Sequence, residues 1–217
     1  MTRIFLVVIV AMITAGIDMV RFYDKEEAAE GCKRETPVEA KKEYKVINRP
    51  TPNYSRDRKN DVIGVILHHT AEPTVESSLA ILTSRAKGVG AHVVIDTDGT
   101  RYILAKPTVA VYHAGLSILN GRESCNYCTV GIEFQGNTVE APLTEDQIAS
   151  GIEYLLPIMA KYKIPLENVV THEMVRTAYM QKYPKKRCKD KVDITPTEYQ
   201  RFMKALRVKM KKTEALN

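Results

Sequence analysis

The sequence predicts an α/β fold: one domain in which α-helices flank a central mixed β-sheet. The 217-residue length suits a single domain with short extensions, and a composition with 44% hydrophobic and 27% charged residues is that of a globular protein. The third observation is the order of strand-like and helix-like segments, β-α-β-β-β-α-β-α. Strands that alternate with helices pair in parallel, whereas strands joined by a tight turn pair antiparallel, so the sheet is expected to be mixed.

In the first half of the domain, apolar runs predict strands and helical spacing predicts one helix. Val62–Leu67 is a continuous apolar run of strand length, and Val75–Arg85 carries apolar residues at helical spacing. Ala91–Ile95 and Arg101–Leu104 predict an antiparallel pair, because the hairpin signal Asp98–Gly99 separates them.

The second half is predicted to hold three strands and two helices around one irregular loop. Val109–Tyr112 predicts a short strand and Thr129–Phe134 a buried one. The stretch between them, His113–Cys128, is rich in Gly and Asn and lacks a period, which predicts a site-forming loop. The remaining elements are a helix with a capping box at Thr144 that ends near Lys163, a short strand at Asn168–Thr171 and a final helix at Pro196–Arg207.

The first residues have the pattern of an export signal. Arg3 precedes Ile4–Ile17, an uncharged run of 14 residues that matches the apolar part of a secretory signal and is shorter than the roughly 20 residues of a membrane span. We predict a signal peptide or membrane anchor at 1–23 and export to the cell envelope, periplasmic or secreted, with membrane anchoring possible. The other predicted segments are a charged tether at 24–42, the folded domain at 43–208 and a basic tail at 209–217.

Charge and motifs exclude several classes of partner. The net charge is +6, but basic and acidic residues are interleaved through most of the chain. No zinc-finger spacing, RNA-binding signature or helix-turn-helix pattern is present, so nucleic acid is not an expected partner. No glycine-rich nucleotide loop is present either, so no organic cofactor is expected. A monomer is favoured.

The four cysteines are consistent with two hypotheses, disulfide bonds or a metal or redox site. In an oxidising compartment Cys32, Cys125, Cys128 and Cys188 are enough for two disulfides, although their connectivity cannot be deduced. Cys125 and Cys128 also have the two-residue spacing of a metal knuckle or redox pair, and with Cys188 and His172 they would complete a structural zinc site.

The adjacent histidines His68 and His69 end the first predicted strand. Imidazoles at a strand end are held rigidly by the sheet and still reach a metal in a cleft beyond it, so this pair predicts half of a zinc site. The chain has five histidines, and the other three, His92, His113 and His172, follow strand-like or small-residue segments. A convergent cluster is therefore plausible, and the alternative is that two or three of them are hydrogen-bonded core or surface residues.

Three motifs agree in order with one enzyme family. The stretches Val65–Ala71, His113–Gly115 and Val130–Glu133 together resemble the zinc-dependent N-acetylmuramoyl-L-alanine amidases of the AmpD-like and peptidoglycan-recognition type. The resemblance runs from about Pro50 to Leu206, and it is densest between His113 and Glu133. It implies a zinc cleft at one edge of the sheet.

The resemblance also implies the metal ligands. His68 and His172 match the first two ligands of the family. In the family a Lys stands two residues before an Asp or Cys ligand, a pattern that both Asp193 and Cys188 satisfy. Asp193 is preferred because the final helix starts just after it, Cys188 is the second choice and Asp190 the third. The interval after His172 is longer than the family pattern, so an insertion is expected at 179–186.

The remaining roles follow from the same match and from the cost of burying charge. Glu133 is the one carboxylate in an otherwise apolar strand, which is costly unless it is paired or used, so it is the expected general base. Lys191 is expected to stabilise the oxyanion of the tetrahedral intermediate. His113, Arg122 and Asn126 are expected to bind the substrate.

The implied function is zinc-dependent hydrolysis of the amide bond between the lactyl group of N-acetylmuramic acid and L-alanine, in peptidoglycan or in muropeptides. One alternative is a peptidoglycan-binding module of the same fold that lacks catalysis. A second is a structural-zinc or redox protein built on Cys125, Cys128 and Cys188.

Overall fold

The structure is a computed structural model, and it describes residues 42–186 and 193–215. The predicted leader, most of the tether, Cys32, Cys188, Asp190 and Lys191 lie outside these ranges. No helix within them combines the length and the apolar character that crossing a membrane requires. The described ranges form strands β1 (Val46–Asn48), β2 (Tyr54–Lys59), β3 (Gly64–His69), β4 (Val93–Ile95), β5 (Arg101–Ile103), β6 (Val109–Val111), β7 (Ile118–Leu119), β8 (Arg122–Glu123), β9 (Thr129–Phe134) and β10 (Val169–Thr171), with helices α1 (Val75–Leu82), α2 (Glu145–Tyr162), α3 (His172–Lys182) and α4 (Pro196–Glu214).

Six strands form the central sheet, in the order β1-β5-β4-β9-β3-β10. Five neighbouring pairs build it: β4 and β5, joined by the predicted hairpin, are antiparallel, and the other four pairs are parallel. The predicted mixed sheet is therefore confirmed. Strand β3 lies one position from the β10 edge, which brings its carboxyl end close to the start of α3.

Helices α2 and α4 cover one face of the sheet and bury the larger core. The alternate residues Val130, Ile132 and Phe134 of β9 all belong to this cluster, together with residues of α2 and α4. The rings of Phe134 and Phe202 meet edge to face with centroids 5.6 Å apart. Burial of these side chains fixes the register of the strands, because a one-residue slip would expose the whole apolar set.

The opposite face carries the smaller clusters and the candidate chemistry. Ile66 and Val170 pack there with Val175 of α3, and Val94 packs with α1. Because side chains alternate along a strand, His68 projects from the same face as Ile66, and Glu133 from the face opposite Ile132. His68 and Glu133 are register partners on neighbouring parallel strands, so both side chains stand on this second face.

Several strands and helices of the structure differ from those that the sequence pattern predicts. Strand β2 is mostly exposed and lacks apolar alternation, and it is a strand because it pairs with β6. Helix α3 begins at His172, where Thr171 supplies a capping box, in a segment for which no helix was predicted. Helix α4 continues to Glu214, past its predicted end at Arg207, since no Gly or Pro interrupts the lysine-rich segment.

The buried His92 joins three strands through its side chain. Its Nε2–H donates to the carbonyl of Val109 at 2.9 Å, and its Nδ1 accepts from the N–H of Gly131 at 2.9 Å. Only the neutral ring can make both bonds, because protonated Nδ1 cannot accept. Burial accordingly lowers the pKa of His92 to about 4, although the bond to Val109 opposes the shift.

We expect His92→Gln to flatten the pH dependence of stability. Between pH 6.5 and about 4 the unfolded chain binds a proton at His92 that the folded chain does not, so the free energy of unfolding falls as the pH falls. The lowered pKa corresponds to about 3 kcal/mol over this window. Glutamine offers one donor and one acceptor but does not titrate. Urea unfolding of the metal-free protein from pH 7 to pH 4 would measure the difference, and parallel curves for wild type and variant would contradict the assignment.

Candidate metal centre

Three potential metal ligands converge where β3, α3 and α4 meet. His68 lies near the carboxyl end of β3, His172 is the first residue of α3, and Asp193 precedes the cap of α4. One ligand atom from each lies within 4.8 Å of the others. The Asp193 Oδ2 atom is 3.2 Å from Nδ1 of His68 and 3.1 Å from Nδ1 of His172.

Asp193 is oriented by backbone amides. Its Oδ1 atom accepts from the N–H of His69 at 2.9 Å and from the N–H of Ile194 at 3.1 Å, which turns Oδ2 towards the two imidazoles. The hydroxyl oxygen of Thr138 accepts from the N–H of Thr195 at 3.0 Å and lies 2.9 Å from the ring of His69. The end of β3 and the start of α4 are thereby tied together around the carboxylate.

His172 is fixed at the first turn of α3. Strand β10 runs parallel to β3 with Thr171 opposite Leu67, so the next residue, His172, comes beside His68. Their ring centroids are 5.0 Å apart. The Nε2 atom of His172 lies 3.1 Å from the carbonyl oxygen of Ala114, which can only accept, so Nε2 carries the proton and Nδ1 keeps a lone pair.

A chain of hydrogen bonds sets the tautomer of His68. Thr129 donates its hydroxyl proton to the carbonyl of Cys125 at 2.7 Å, so its oxygen accepts from Nε2–H of His113 at 3.3 Å. Neutral His113 therefore has an acceptor at Nδ1, which lies 3.1 Å from Nε2 of His68. The proton of His68 is thus on Nε2, and its Nδ1 lone pair faces Asp193.

This chain of hydrogen bonds requires that His113 stay neutral, and the surroundings of His113 ensure that it does. Burial lowers the pKa of His113 well below its usual value, and the neighbouring imidazoles of His68, His92 and His172 lower it further. A hydrogen bond to the backbone of Thr129 opposes the shift with a smaller effect. His113 thus acts as a fixed acceptor behind His68, an arrangement typical of the partners that orient metal-binding histidines.

The donor set fits a bound cation. When both imidazoles are neutral, two lone pairs and a carboxylate oxygen point at one another, which is repulsive unless a positive ion lies among them. Ligands at about 2.0–2.1 Å on a tetrahedral zinc ion are about 3.3 Å apart. The observed separations from Asp193 Oδ2, 3.2 and 3.1 Å, are close to that spacing. Within the described residues this is the one group of three or more such side chains that could hold a metal.

Gly131 leaves room for the imidazole ring of His113. A β-carbon at this position would lie 2.6 Å from Nδ1 of His113 and 2.7 Å from its Cγ, both far inside contact distance. The imidazole therefore packs directly against the backbone of β9. Glycine in an otherwise apolar strand is the sequence signal of such a close approach.

Glu133 stands beside the metal ligands on β9. It is opposite His68 in the β3–β9 register and only 5% exposed. Its Oε2 atom is buried and has no hydrogen-bond partner among the described residues. An unsatisfied buried carboxylate oxygen is costly, which is the mark of a group kept for binding or catalysis.

A cavity of about 490 Å³ opens over this site and is lined by Glu133, His172, His113 and Asn126. The residues that form the rest of its wall include Ile81 and Leu82 at the end of α1, Val89 in the loop after α1 and Tyr112 just after β6. The combination of apolar walls and a few convergent polar groups is typical of a small-molecule or peptide site.

The predicted substrate-binding residues have different environments. His113 and Asn126 line the cavity. The Asn126 Oδ1 atom accepts from the backbone N–H groups of His113 and Ala114, at 2.8 and 2.7 Å. The carbonyl oxygen of its side chain is therefore hydrogen-bonded within the protein. Arg122 instead forms an exposed ion pair with Asp61 at 2.9 Å and is not among the lining residues. Lys191 lies outside the described residues.

The groups that support the histidines were not predicted from the sequence. Thr129 and Thr138 are polar residues in short segments and carry no pattern that points to His113 or His69. Gly131 did carry a signal, as a lone glycine in a predicted strand. The wall residues of the cavity look like ordinary core residues, and their contribution follows only from the way α1 packs beside the sheet.

The chain matches the family described as N-acetylmuramoyl-L-alanine amidase over residues 58–191. N-acetylmuramoyl-L-alanine amidase AmiD of Escherichia coli is 30% identical over 158 residues, which cover 65% of this chain and 55% of that protein. The 1,6-anhydro-N-acetylmuramyl-L-alanine amidase AmpD of Haemophilus influenzae is 38% identical over 87 residues, which cover 39% and 46%. The chain thus spans about half the length of the curated relatives it matches.

Solved structures share the fold. A crystal structure of a selenomethionine AmpD derivative has a TM-score of 0.56 and 19% sequence identity, and the match covers 73% of this chain and 94% of that one. A mutant endolysin from Bacillus subtilis has a TM-score of 0.53 and 20% identity, with coverage of 76% and 99%.

We expect Gly131→Ala to weaken metal binding. The added methyl group would displace His113 and with it the acceptor that orients His68, and loss of such a partner typically lowers metal affinity about 10- to 100-fold. Zinc affinity measured by competition with a chelating dye would test this. Gly151→Ala is the matched control, because its methyl group would lie 3.0 Å from the ring of Phe134 on the other face of the sheet. The control should lower stability and leave zinc affinity unchanged; equal affinities for both variants would contradict the role of His113.

Proposed function

The chain belongs to the N-acetylmuramoyl-L-alanine amidase family, and we propose that it hydrolyses the amide bond between the lactyl group of N-acetylmuramic acid and L-alanine. Its substrate would be peptidoglycan or a muropeptide, with Zn²⁺ as the cofactor. The observation that carries the proposal is the convergence of two imidazoles and a carboxylate beside Glu133, whose Oε2 atom has no hydrogen-bond partner, next to a cavity that His172 and Glu133 line.

In this proposal His68, His172 and Asp193 hold Zn²⁺, which when bound supplies Lewis-acid polarisation of the amide carbonyl and makes a water molecule more acidic. The outer nitrogens of both histidines are engaged by His113 and Ala114, so the rings present Nδ1 without rearrangement. Such preorganisation keeps the geometry of the ligands constant while charge develops on the substrate.

Glu133 would carry the proton transfer. Its unpartnered Oε2 would accept a proton from water as the water oxygen bonds to the amide carbon. The same proton would then pass to the amide nitrogen as the carbon–nitrogen bond breaks, so that L-alanine leaves with a neutral amine. Burial in the cavity removes competing water from the carboxylate and strengthens its interactions.

Lys191 is proposed to stabilise the oxyanion of the tetrahedral intermediate. The proposal rests on its place two residues before Asp193, because that spacing matches the family's pattern. In that role its ammonium group would supply a positive charge where negative charge develops.

Substrate recognition is proposed for His113, Asn126 and Arg122. The Nδ2 group of Asn126 is available to donate, since only Oδ1 is used by backbone amides. Both ring nitrogens of His113 are engaged, so it would contact substrate through its ring carbons. The exposed pair between Arg122 and Asp61 is of a kind that contributes little stability, so Arg122 could exchange it for a stem-peptide carboxylate at small cost.

We further propose that the protein acts in the cell envelope as a monomer, exported by residues 1–23, which would tether it to the membrane if they are not cleaved. The pattern of Arg3 followed by Ile4–Ile17 supports export. The domain arrangement proposed with it is the tether at 24–42, the amidase domain at 43–208 and the basic tail at 209–217.

We expect Glu133→Gln to abolish hydrolysis while metal binding persists. Loss of a general base typically lowers the rate about 10²- to 10⁴-fold, whereas the amide keeps the size of the side chain. The zinc-loaded protein would be incubated with purified muropeptides, and mass spectrometry would measure the stem peptide that is released. The exposed Glu140→Gln is the matched control and should keep full activity.

Asp193→Ala completes the design, because it should remove zinc binding and hydrolysis together. No release by wild-type protein that binds both zinc and muropeptide would contradict the amidase and would favour the alternative, a recognition module without catalysis. Full activity of Glu133→Gln would reject the assigned base while leaving the amidase in place.

A further inference from the structure

Two buried thiols lie directly behind the candidate metal centre. Cys125 and Cys128 begin and follow the 3₁₀ turn that leads into β9, and both are free in the structure. Each is at most 1% exposed, and both belong to the same buried cluster. The N–H of Cys128 donates to the carbonyl of Cys125 at 3.0 Å, which closes the turn and holds the two residues at its two ends. Neither thiol takes part in the metal site or in the proposed hydrolysis.

This turn supports both metal-binding histidines. Asn126, inside the turn, accepts from the N–H groups of His113 and Ala114, and Ala114 in turn accepts from His172. The carbonyl of Cys125 accepts the hydroxyl proton of Thr129, whose oxygen accepts from His113 behind His68. A change in the shape of the turn therefore reaches His68 and His172 through continuous hydrogen bonds.

The two thiols differ in acidity. The hydrogen bond from Cys128 lowers the pKa of Cys125, and a bond to Ser117 lowers it further, against the effect of burial. The same contact and burial raise the pKa of Cys128. A pair with one more acidic thiol beside one that stays protonated is typical of dithiols that undergo exchange with disulfides.

We propose that Cys125 and Cys128 are a redox modification site, at which a small-molecule disulfide forms an intramolecular disulfide that weakens metal binding next to it. The Cys125 thiolate attacks one sulfur of the oxidant, whose sulfur–sulfur bond breaks and releases one thiol. Cys128 then attacks the Cys125 sulfur of the mixed disulfide, gives up its proton and releases the second thiol. The protein loses two electrons and two protons, and the oxidant gains both.

The consequence for the metal follows from the geometry of the turn. A disulfide fixes the two sulfur atoms about 2.05 Å apart, closer than two unbonded sulfur atoms can approach. Residues 125–128 must absorb this contraction, and Asn126 stands between the two cysteines. Because the proposal concerns the site assigned under the proposed function, it rests on that assignment. Disturbed support of metal-binding histidines typically lowers metal affinity about 10- to 100-fold.

Packing alone is the competing explanation of these residues. Cysteine often serves as a small buried hydrophobe, and both side chains contact the apolar cluster that contains Ile66 and Val170. That role does not require the two thiols to lie at the two ends of one turn around Asn126. Burial does make the reaction slow, because the oxidant gains access only when the turn opens.

The test uses the full chain, treated with oxidised glutathione or with a dithiol reductant. Peptide mapping by mass spectrometry should find a Cys125–Cys128 disulfide, about 2 Da lighter than the dithiol. Zinc affinity, measured by competition with a chelating dye, should fall 10- to 100-fold in the oxidised protein and recover on reduction. Cys125→Ala removes the attacking thiolate, so it should keep the affinity of the reduced wild type and show no response to the oxidant.

Three results would overturn the proposal. These are a mapped disulfide with unchanged zinc affinity, failure of the disulfide to form, and an equal loss of affinity in oxidised Cys125→Ala. If that variant does not fold, recovery of wild-type affinity on reduction still decides the question. Zinc affinity does not depend on turnover, so failure of the amidase would show in muropeptide release and failure of the redox site in this measurement.

Discussion

The parallel register of β3 with β9 and β10 is the constraint on which the rest of the site depends. Pairing with β9 puts Glu133 opposite His68. Pairing with β10 puts Thr171, its last residue, opposite Leu67, so the next residue, His172, lies beside His68. Two imidazoles and a carboxylate thus meet at one end of three adjacent strands. The large core under α2 and α4 maintains that register, because any slip would expose its apolar side chains.

Behind the ligands, neutral histidine is used as a structural group. His113 and His92 are both buried, and both have a pKa held below the usual value by burial. Each accepts a hydrogen bond at Nδ1 and donates one at Nε2, so the ring joins two partners in a fixed direction. A lysine or glutamine in place of either ring would lack its rigidity, and Gly131 shows how closely the backbone approaches one of them.

The sequence predicted those parts of the fold that follow from periodicity and caps. The strand Thr129–Phe134 and the capping box at Thr144 are confirmed at the predicted positions, and so is the mixed sheet. Strand β2 and helix α3 escaped prediction, because their form comes from a partner strand and from a capped turn next to β10. The converging histidines could be proposed from strand ends, whereas the supporting Thr129 and Asn126 act through contacts that no spacing in the chain encodes.

The three candidate ligands come from distant parts of the chain. Residue 68 and residue 193 are separated by 125 positions, and residue 172 precedes residue 193 by 21. An ion held by all three would close a long loop of the unfolded chain, and its binding energy would add to the folding energy. At a free ion concentration one thousand times the dissociation constant, that contribution is about 4 kcal/mol. The metal supply of the compartment would then set how long the protein survives there, as well as whether it can work.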